Sequence, residues 1–133
     1  MTMVEAQAPL HVYMVEDSPI FSRLLAVAVE SAGAELVGQS DNAAQAIADL
    51  SHVDADLILV DVMLESGTGF DVLAALQKSG RARTATKVVL TSHTAAEYGS
   101  LSYSLGATYF YEKAQDSWRV LELINRMAGE TRA

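Results

Sequence analysis

The residues best suited to chemistry follow apolar, strand-like segments. Asp61 comes directly after four aliphatic residues, 57–60, a run typical of a strand buried on both faces of a sheet. Three further apolar segments, 10–15, 86–90 and 108–111, also end in polar side chains. In open parallel sheets, ligands bind at the carboxyl ends of the strands. The polar residues at these four strand ends are Glu16, Asp17, Asp61, Thr91 and Lys113.

This set of side chains is suited to phosphoryl chemistry at a divalent cation. Three neighbouring carboxylates cannot all stay charged without a cation, and oxygen ligands without His or Cys favour Mg²⁺. We expect Asp17 and Asp61 to bind the ion directly, and Glu16 directly or through water. A carboxylate can attack a phosphoryl group to form an aspartyl phosphate. Lys113 and Thr91 are suited to donating hydrogen bonds to the phosphoryl oxygens.

Each of these residues also has a purely structural interpretation. Asp17 could be a helix cap, because Ser18 and Pro19 follow it. Thr91 could be an ordinary β-branched strand residue, and Lys113 a solvated surface lysine. Asp61 is harder to explain in this way, since no proline-led helix follows it. The joint placement of the residues at strand ends favours a shared site.

Composition limits the possible classes of protein. A chain of 133 residues, half of them hydrophobic, predicts one folded domain. No apolar stretch approaches the ~20 residues of a membrane-spanning helix. Seventeen acidic residues against nine basic ones give a net charge of −8, which disfavours binding to nucleic acid. The absence of cysteine and of a signal-peptide pattern fits a cytoplasmic location.

Strand and helix patterns alternate five times, which predicts an α/β fold: a doubly wound, five-stranded parallel sheet with helices on both faces. We expect residues 10–128 to form a single domain, with a flexible leader at 1–9 and a short polar tail at 129–133. Asp41 is the expected cap of the second helix, and Asp116 or Ser117 that of the last. The apolar stripe predicted for the last helix consists of Trp118, Leu121, Ile124 and Met127.

Four motifs in order resemble the receiver domains of two-component response regulators, most closely the stand-alone chemotaxis type. They are VEDS at 15–18, LVDVML at 59–64, VLTS at 89–92 and YEK at 111–113. Gly69, eight residues after Asp61, matches the loop glycine of that family. The resemblance extends from residue 11 to 127 and implies the flavodoxin-like strand order 2-1-3-4-5.

The resemblance implies a regulatory domain rather than an enzyme, capable at most of self-phosphorylation and self-dephosphorylation. Asp61 would accept a phosphoryl group from a histidine kinase or phosphotransfer protein, with Mg²⁺ held also by the backbone carbonyl of Met63. Thr91 and Phe110 would be the switch residues. A separate effector protein would bind helix 4, strand 5 and helix 5. We expect a monomer or weak dimer that contacts neither nucleic acid nor membrane.

Some positions depart from the family pattern, and other functions stay open. Glu65 and Ala114 stand where the family commonly has proline, and Phe110 where tyrosine is commoner. One alternative is a degenerate receiver that acts as a phosphate-independent scaffold. Another is a haloacid-dehalogenase-type phosphatase, although Met63 replaces its second aspartate and no segment is long enough for a cap. A nucleotide or flavin binder is disfavoured, because Gly67-Thr68-Gly69 is not a phosphate-binding fingerprint.

Overall fold

Five strands alternate with five helices in the computed structural model, which describes residues 8–93 and 95–132. The five strands are β1 (His11–Val15), β2 (Glu35–Ser40), β3 (Leu57–Val60), β4 (Thr86–Thr91) and β5 (Tyr109–Glu112). The five helices are α1 (Pro19–Ser31), α2 (Ala43–Leu50), α3 (Gly69–Ser79), α4 (Ala96–Ser104) and α5 (Lys113–Arg132). In the part of the chain that the structure describes, no helix is both long and apolar enough to span a bilayer.

All strand pairs in the sheet are parallel, and their order is β2-β1-β3-β4-β5. This confirms the predicted fold class and strand order. The register aligns the carboxyl ends, because Val60 pairs with both Val15 and Val89, and Thr91 pairs with Glu112. The residues that follow β1, β3 and β5 therefore meet at one edge of the sheet.

Helices bury both faces of the sheet. Alternate side chains of β1 and β3, such as Met14 and Leu59, pack with α1 and α5, whereas Val15 and Val60 face α2 and α3. All four residues of β3 are buried, as the uninterrupted aliphatic run predicted. The strand that carries Asp61 is therefore held from both sides.

Ser18, rather than Asp17, is the cap of α1, and the cap of α2 also differs from the aspartate named from the sequence. Ser18 Oγ accepts a hydrogen bond from the Phe21 N–H at 3.2 Å. For α2, Asn42 rather than Asp41 is the cap, and its Oδ1 accepts from the Gln45 N–H at 2.8 Å. The predicted cap was wrong by one residue, because Asp and Asn are adjacent and suit this position equally.

The last helix begins earlier than predicted. It starts at Lys113, directly after β5, so neither Asp116 nor Ser117 is its cap. Asp116 instead accepts a hydrogen bond from the Glu112 N–H at 3.0 Å through Oδ2. The early start matters for function, because it places Lys113 at the strand end rather than in a loop.

The buried face of α5 also differs from the predicted stripe. The residues buried against the sheet are Val120, Leu123, Ile124 and Ala128. Of the predicted stripe, only Ile124 is fully buried, and Trp118 is 56% exposed. Two apolar series with helical spacing lie on adjacent faces of this helix, and spacing alone did not distinguish them.

Gly69 allows α3 to pack directly against the strand end that carries Asp61. Its N–H donates to the Val62 carbonyl at 2.8 Å. A Cβ added at Gly69 would lie 2.2 Å from the Asp61 carbonyl oxygen and 2.7 Å from a methyl carbon of Val60. The close approach of two backbone segments therefore requires glycine here.

We predict that Gly69→Ala lowers the free energy of unfolding by about 1–3 kcal/mol or more. The atom closest to the added Cβ is the backbone carbonyl oxygen of Asp61, which cannot rotate away. Urea denaturation measures this change. Gly129→Ala is the matched control, because a Cβ there has no atom within 4 Å. It lies inside α5 and should raise stability by up to about 1 kcal/mol. Equal effects of the two substitutions would contradict the role given to Gly69.

Candidate functional site

Three acidic residues converge at the carboxyl edge of the sheet. Glu16 and Asp17 follow β1, and Asp61 follows β3, which is the neighbour of β1. One carboxylate oxygen from each lies within 4.8 Å of the others. Glu16 and Asp61 are buried, whereas Asp17 is exposed. The structure thus brings together the three acids that the sequence nominated.

Lys113 bridges two of these acids. Its Nζ lies 2.8 Å from Asp61 Oδ2 and 2.8 Å from Glu16 Oε1. These side chains are only 13%, 7% and 3% exposed for Lys113, Asp61 and Glu16, respectively. The ammonium also lies 4.5 Å from the centre of the Phe21 ring, on α1. Sequence reasoning missed Phe21, because no local pattern connects it to a lysine so distant in the chain.

Backbone N–H groups hold the buried carboxylates in place. The Ser18 N–H donates to Glu16 Oε2 at 2.9 Å, while the Ser18 hydroxyl caps α1. The Met63 N–H lies 3.4 Å from Asp61 Oδ1, at the long end of the hydrogen-bond range. The Met63 carbonyl remains a predicted metal ligand.

The cluster carries excess negative charge. Burial raises the pKa of Glu16, and the neighbouring Asp61 adds to this, against the opposing effect of Lys113. Burial alone would lower the pKa of Lys113, but its hydrogen bonds to Asp61 and Glu16 outweigh that and raise it. Three carboxylates and one ammonium leave a formal charge of −2 when all are ionised. An all-oxygen donor set with two uncompensated charges fits Mg²⁺.

The cluster borders a groove that is open to solvent on the side of Glu16 and Asp17. A groove of about 380 Å³ is bordered by Glu16, Asp17 and the start of α1 on one side. Residues 39–42 at the end of β2 border it on the other side. The groove therefore leaves space beside the cluster on the side of Glu16 and Asp17.

Thr91 and Phe110, the predicted switch residues, lie on neighbouring strands. Thr91 is fully buried at the end of β4, and its Oγ1 accepts from the His93 N–H at 3.1 Å. In residues 8–93 and 95–132, no hydrogen bond joins Thr91 to Asp61. Phe110 is half-buried and packs with Val89 and other residues beneath α4.

A hydrogen bond joins α4 to the edge strand β5, in addition to the packing of Phe110 beneath α4. The Phe110 N–H donates to the Tyr103 hydroxyl at 3.2 Å. Gly99 lies on the same helix against the Phe110 ring, where an added Cβ would be 3.5 Å from the ring. The first turn of α4 has no side-chain cap at Ala95. The spacing of Thr94 and Glu97 in the sequence predicts a capping box for this helix, but Thr94 lies outside the described residues.

The surface formed by α4, β5 and α5 exposes large apolar groups. Leu101, Tyr103 and Trp118 are 42%, 52% and 56% exposed. Tyr109 and Tyr111 stack with ring centres 5.5 Å apart. We call this surface, formed by Leu101, Tyr103, Tyr109, Tyr111 and Trp118, the aromatic face.

Comparisons with known proteins identify the family of this chain. The family model described as the response regulator receiver domain matches residues 12–125. The nitrate/nitrite response regulator protein NarP of Escherichia coli (strain K12) is 31% identical over 117 residues. That match covers 87% of this chain and 54% of the relative, so the chain spans about half the length of the relative it matches.

Two solved structures share the fold. A CheY-like response regulator receiver domain protein from Methanospirillum hungatei JF-1 has a TM-score of 0.80 and 21% identity, with 92% of this chain and 96% of that one covered. The receiver domain of sensor histidine kinase PA1611 from Pseudomonas aeruginosa PAO1 has a TM-score of 0.77 and 18% identity, with 92% and 99% covered. Magnesium is coordinated in the active-site cleft of the latter protein. Since these neighbours range from a CheY-like protein to the receiver domain of a sensor histidine kinase, the fold does not single out the stand-alone chemotaxis type.

We predict that Lys113→Met destabilises the metal-free protein by roughly 3 kcal/mol, because it leaves buried Glu16 and Asp61 without their shared counter-charge. Chemical denaturation in the presence of EDTA measures this loss. Saturating Mg²⁺ should reduce the difference from wild type, since the ion restores positive charge at the cluster.

Arg119→Gln is the matched control. It breaks the exposed Arg119–Asp116 pair, whose side chains are 52% and 29% exposed, and should cost less than about 1 kcal/mol. Mg²⁺ should leave the effect of this control unchanged. A Lys113→Met protein as stable as wild type in EDTA would contradict the electrostatic account.

Proposed function

Because the chain belongs to the family of response regulator receiver domains, we propose that it is a phosphorylation-controlled signalling module whose phosphoacceptor is Asp61. The observation that carries the proposal is the buried contact of Lys113 with Asp61 and Glu16 inside the three-acid cluster. A cation beside the attacking carboxylate, together with an accessible groove, is what transfer of a phosphoryl group requires.

The donor we propose is the phosphohistidine of a histidine kinase or phosphotransfer protein. A carboxylate oxygen of Asp61 attacks phosphorus, the phosphorus–nitrogen bond breaks, and the released histidine nitrogen takes a proton. Lys113 then pairs with a phosphoryl oxygen, since its ammonium already lies 2.8 Å from Asp61 Oδ2. Water supplies the proton for the histidine nitrogen, and the transfer needs no other co-reactant.

Glu16, Asp17, Asp61 and the backbone carbonyl of Met63 are the proposed ligands of Mg²⁺. Bound there, the ion offsets the charge that gathers on the phosphoryl oxygens during transfer. The chain's own contribution is to hold these oxygens together before the donor arrives. The Ser18 N–H and Lys113 perform this function at Glu16.

We propose that Thr91 is the residue that responds to phosphorylation of Asp61. Its hydroxyl would donate to a phosphoryl oxygen, and Phe110 would adjust behind it, beneath α4. Raising an active state from ~1% to ~50% requires about 2.7 kcal/mol of differential binding. One or two charge-assisted hydrogen bonds of roughly 1.5–3 kcal/mol each, absent before phosphorylation, supply that energy.

The aromatic face is the proposed surface for a separate effector protein. Its Tyr103 hydroxyl accepts a hydrogen bond from the Phe110 N–H, so a movement of the backbone at Phe110 reaches this surface directly. We propose that the domain itself is a monomer or weak dimer and acts as a regulator rather than as an enzyme.

The two alternative functions have less support. A phosphatase of the haloacid dehalogenase type needs an acid two residues after its nucleophile, and Met63 occupies that position. A phosphate-independent scaffold would not need a buried lysine shared by two acids. The phosphoacceptor function uses every member of the cluster.

We predict that incubation with acetyl phosphate and Mg²⁺ adds one phosphoryl group, because Asp61 lies beside the Lys113 ammonium and belongs to a cluster whose Glu16 and Asp17 border an open groove. Intact mass spectrometry measures the product, which alkaline conditions should hydrolyse. Asp61→Asn should remain unmodified. Asp54→Asn, at an exposed acid before the same strand, should be modified like wild type.

An unmodified wild-type protein would favour the scaffold. Continuous release of phosphate from phosphate esters would favour the phosphatase. Modification of Asp61→Asn would place the phosphoacceptor at another residue.

We predict that Thr91→Val accepts a phosphoryl group but loses most of the response at the aromatic face, because the buried hydroxyl is removed without loss of volume. Trp118, the only tryptophan in the sequence, reports the response by fluorescence during phosphorylation. Ser92→Ala is the neighbouring control and should respond like wild type. A full fluorescence response from phosphorylated Thr91→Val would exclude Thr91 as the switch residue.

A further inference from the structure

A cavity of about 210 Å³ lies away from the acidic cluster, near the amino-terminal end of β4. It is bordered by the end of α3, the loop from α3 to β4, and the end of α4. Leu76 and Leu105 form the apolar part of the cavity wall, and Arg81, Arg83 and Lys87 provide positive charge. No part of the proposed phosphoacceptor chemistry uses this cavity.

The charge around the cavity is unusual for this chain. The whole protein carries a net charge of −8 and has nine basic residues. Four of the nine, Lys78, Arg81, Arg83 and Lys87, lie within residues 78–87, and that segment contains no acidic residue. A local concentration of positive charge on an acidic protein favours an anionic ligand.

Lys87 is a buried charge without an opposite charge. The residue is 8% exposed, and its Nζ donates to the carbonyls of Ala82 at 2.6 Å and Ala85 at 3.3 Å. Among residues 8–93 and 95–132, no carboxylate lies within 4 Å of this ammonium. Burial lowers the pKa of Lys87, as expected when charge is unpaired. Buried charges in proteins are normally paired, and an ammonium has three donors, of which two are used.

The two arginines differ in their availability. Arg81 is occupied, because its guanidinium donates to the Leu50 carbonyl at 3.0 Å and to Asp54 Oδ1 at 3.0 Å. Arg83 is exposed and makes no ion pair with any described acid. Its guanidinium lies over Gly80, where an added Cβ would be 3.1 Å from a terminal nitrogen. Arg83 and Lys87 are therefore the two cations available to a ligand.

We propose that this cavity binds a small amphipathic anion, a carboxylate or phosphate monoester joined to a short apolar group. The anionic end pairs with Lys87 and Arg83, and the apolar end contacts Leu76 and Leu105. The volume lies below the roughly 300–1,000 Å³ of sites for drug-sized molecules, which limits the ligand to a single ring or a short chain. The proposal does not depend on phosphorylation of Asp61.

Lys87 also has a structural role that the experiment must separate from binding. Its ammonium holds the loop at Ala82, a non-glycine residue with φ of +54°. Lys87→Met therefore removes a contact of the fold together with a charge of the site, and Arg83→Gln provides a second variant at an exposed side chain.

Titration of the full chain with benzoate and with phenyl phosphate, at constant ionic strength, tests the proposal. Backbone amide NMR shifts at Gly80, Arg83 and Gly106 report binding at the cavity. We expect saturable shifts with at least one of the two anions, and none with benzamide, the uncharged counterpart of benzoate. Arg83→Gln should weaken binding about two- to fivefold, as expected for a partly exposed charge pair. Lys87→Met, where folded, should weaken it about tenfold or more.

Lys78→Gln is the matched control, because Lys78 belongs to the same basic segment but does not line the cavity. The Lys78→Gln variant should bind the anion with an affinity within about twofold of the wild-type value, since a distant exposed charge contributes little. Absence of saturation with both anions, equal binding of benzamide, or equal weakening by Lys78→Gln would overturn the proposal. So would shifts confined to Met63 and Lys113, which would place the anion at the acidic cluster.

Discussion

Repulsion among three carboxylates at one sheet edge is the constraint on which this structure depends. Unit charges 4 Å apart interact with about 4 kcal/mol at an effective dielectric constant of 20. Glu16 and Asp61 are buried, so water screens them poorly. Lys113 offsets part of the repulsion by contacting both at 2.8 Å. The strand order makes this possible, because it places β1 beside β3 and brings the end of β5 to the same edge.

The fold and the clustering of Glu16, Asp17, Asp61 and Lys113 were predictable from the sequence for a physical reason. A strand buried on both faces needs a continuous aliphatic run, and parallel strands place their carboxyl ends together, so Asp61 and its neighbours could be grouped without coordinates. Details that depend on competition between similar residues were not predictable. Asn42 and Asp41 cap helices equally well, and two apolar stripes on α5 have the same spacing. The contact of Lys113 with Phe21 depends on tertiary packing alone.

Helix α4 buries few of its residues, and it lies where the proposed switch needs an element that can move. It contains Gly99, and Ser102 is its only fully buried residue. Few buried contacts predict low local stability. Phe110 packs against this helix, whereas the strands that carry the acids are held on both faces. A small energy released at Thr91 is therefore more able to move α4 than to disturb the acidic cluster.

Strand β4 carries Thr91 at one end and Lys87 near the other, so the two proposed ligand sites share an element. Four residues at about 3.3 Å each separate them by roughly 13 Å. At that distance and an effective dielectric constant of 20, unit charges interact with about 1.3 kcal/mol or less. The residues between them, 88–90, are fully buried and leave little freedom to shift. Direct electrostatic coupling between the sites is therefore small. Helix α4 is better placed to connect the two sites. Its first residue comes shortly after Thr91 in the chain, and Leu105, directly after its last residue, borders the cavity.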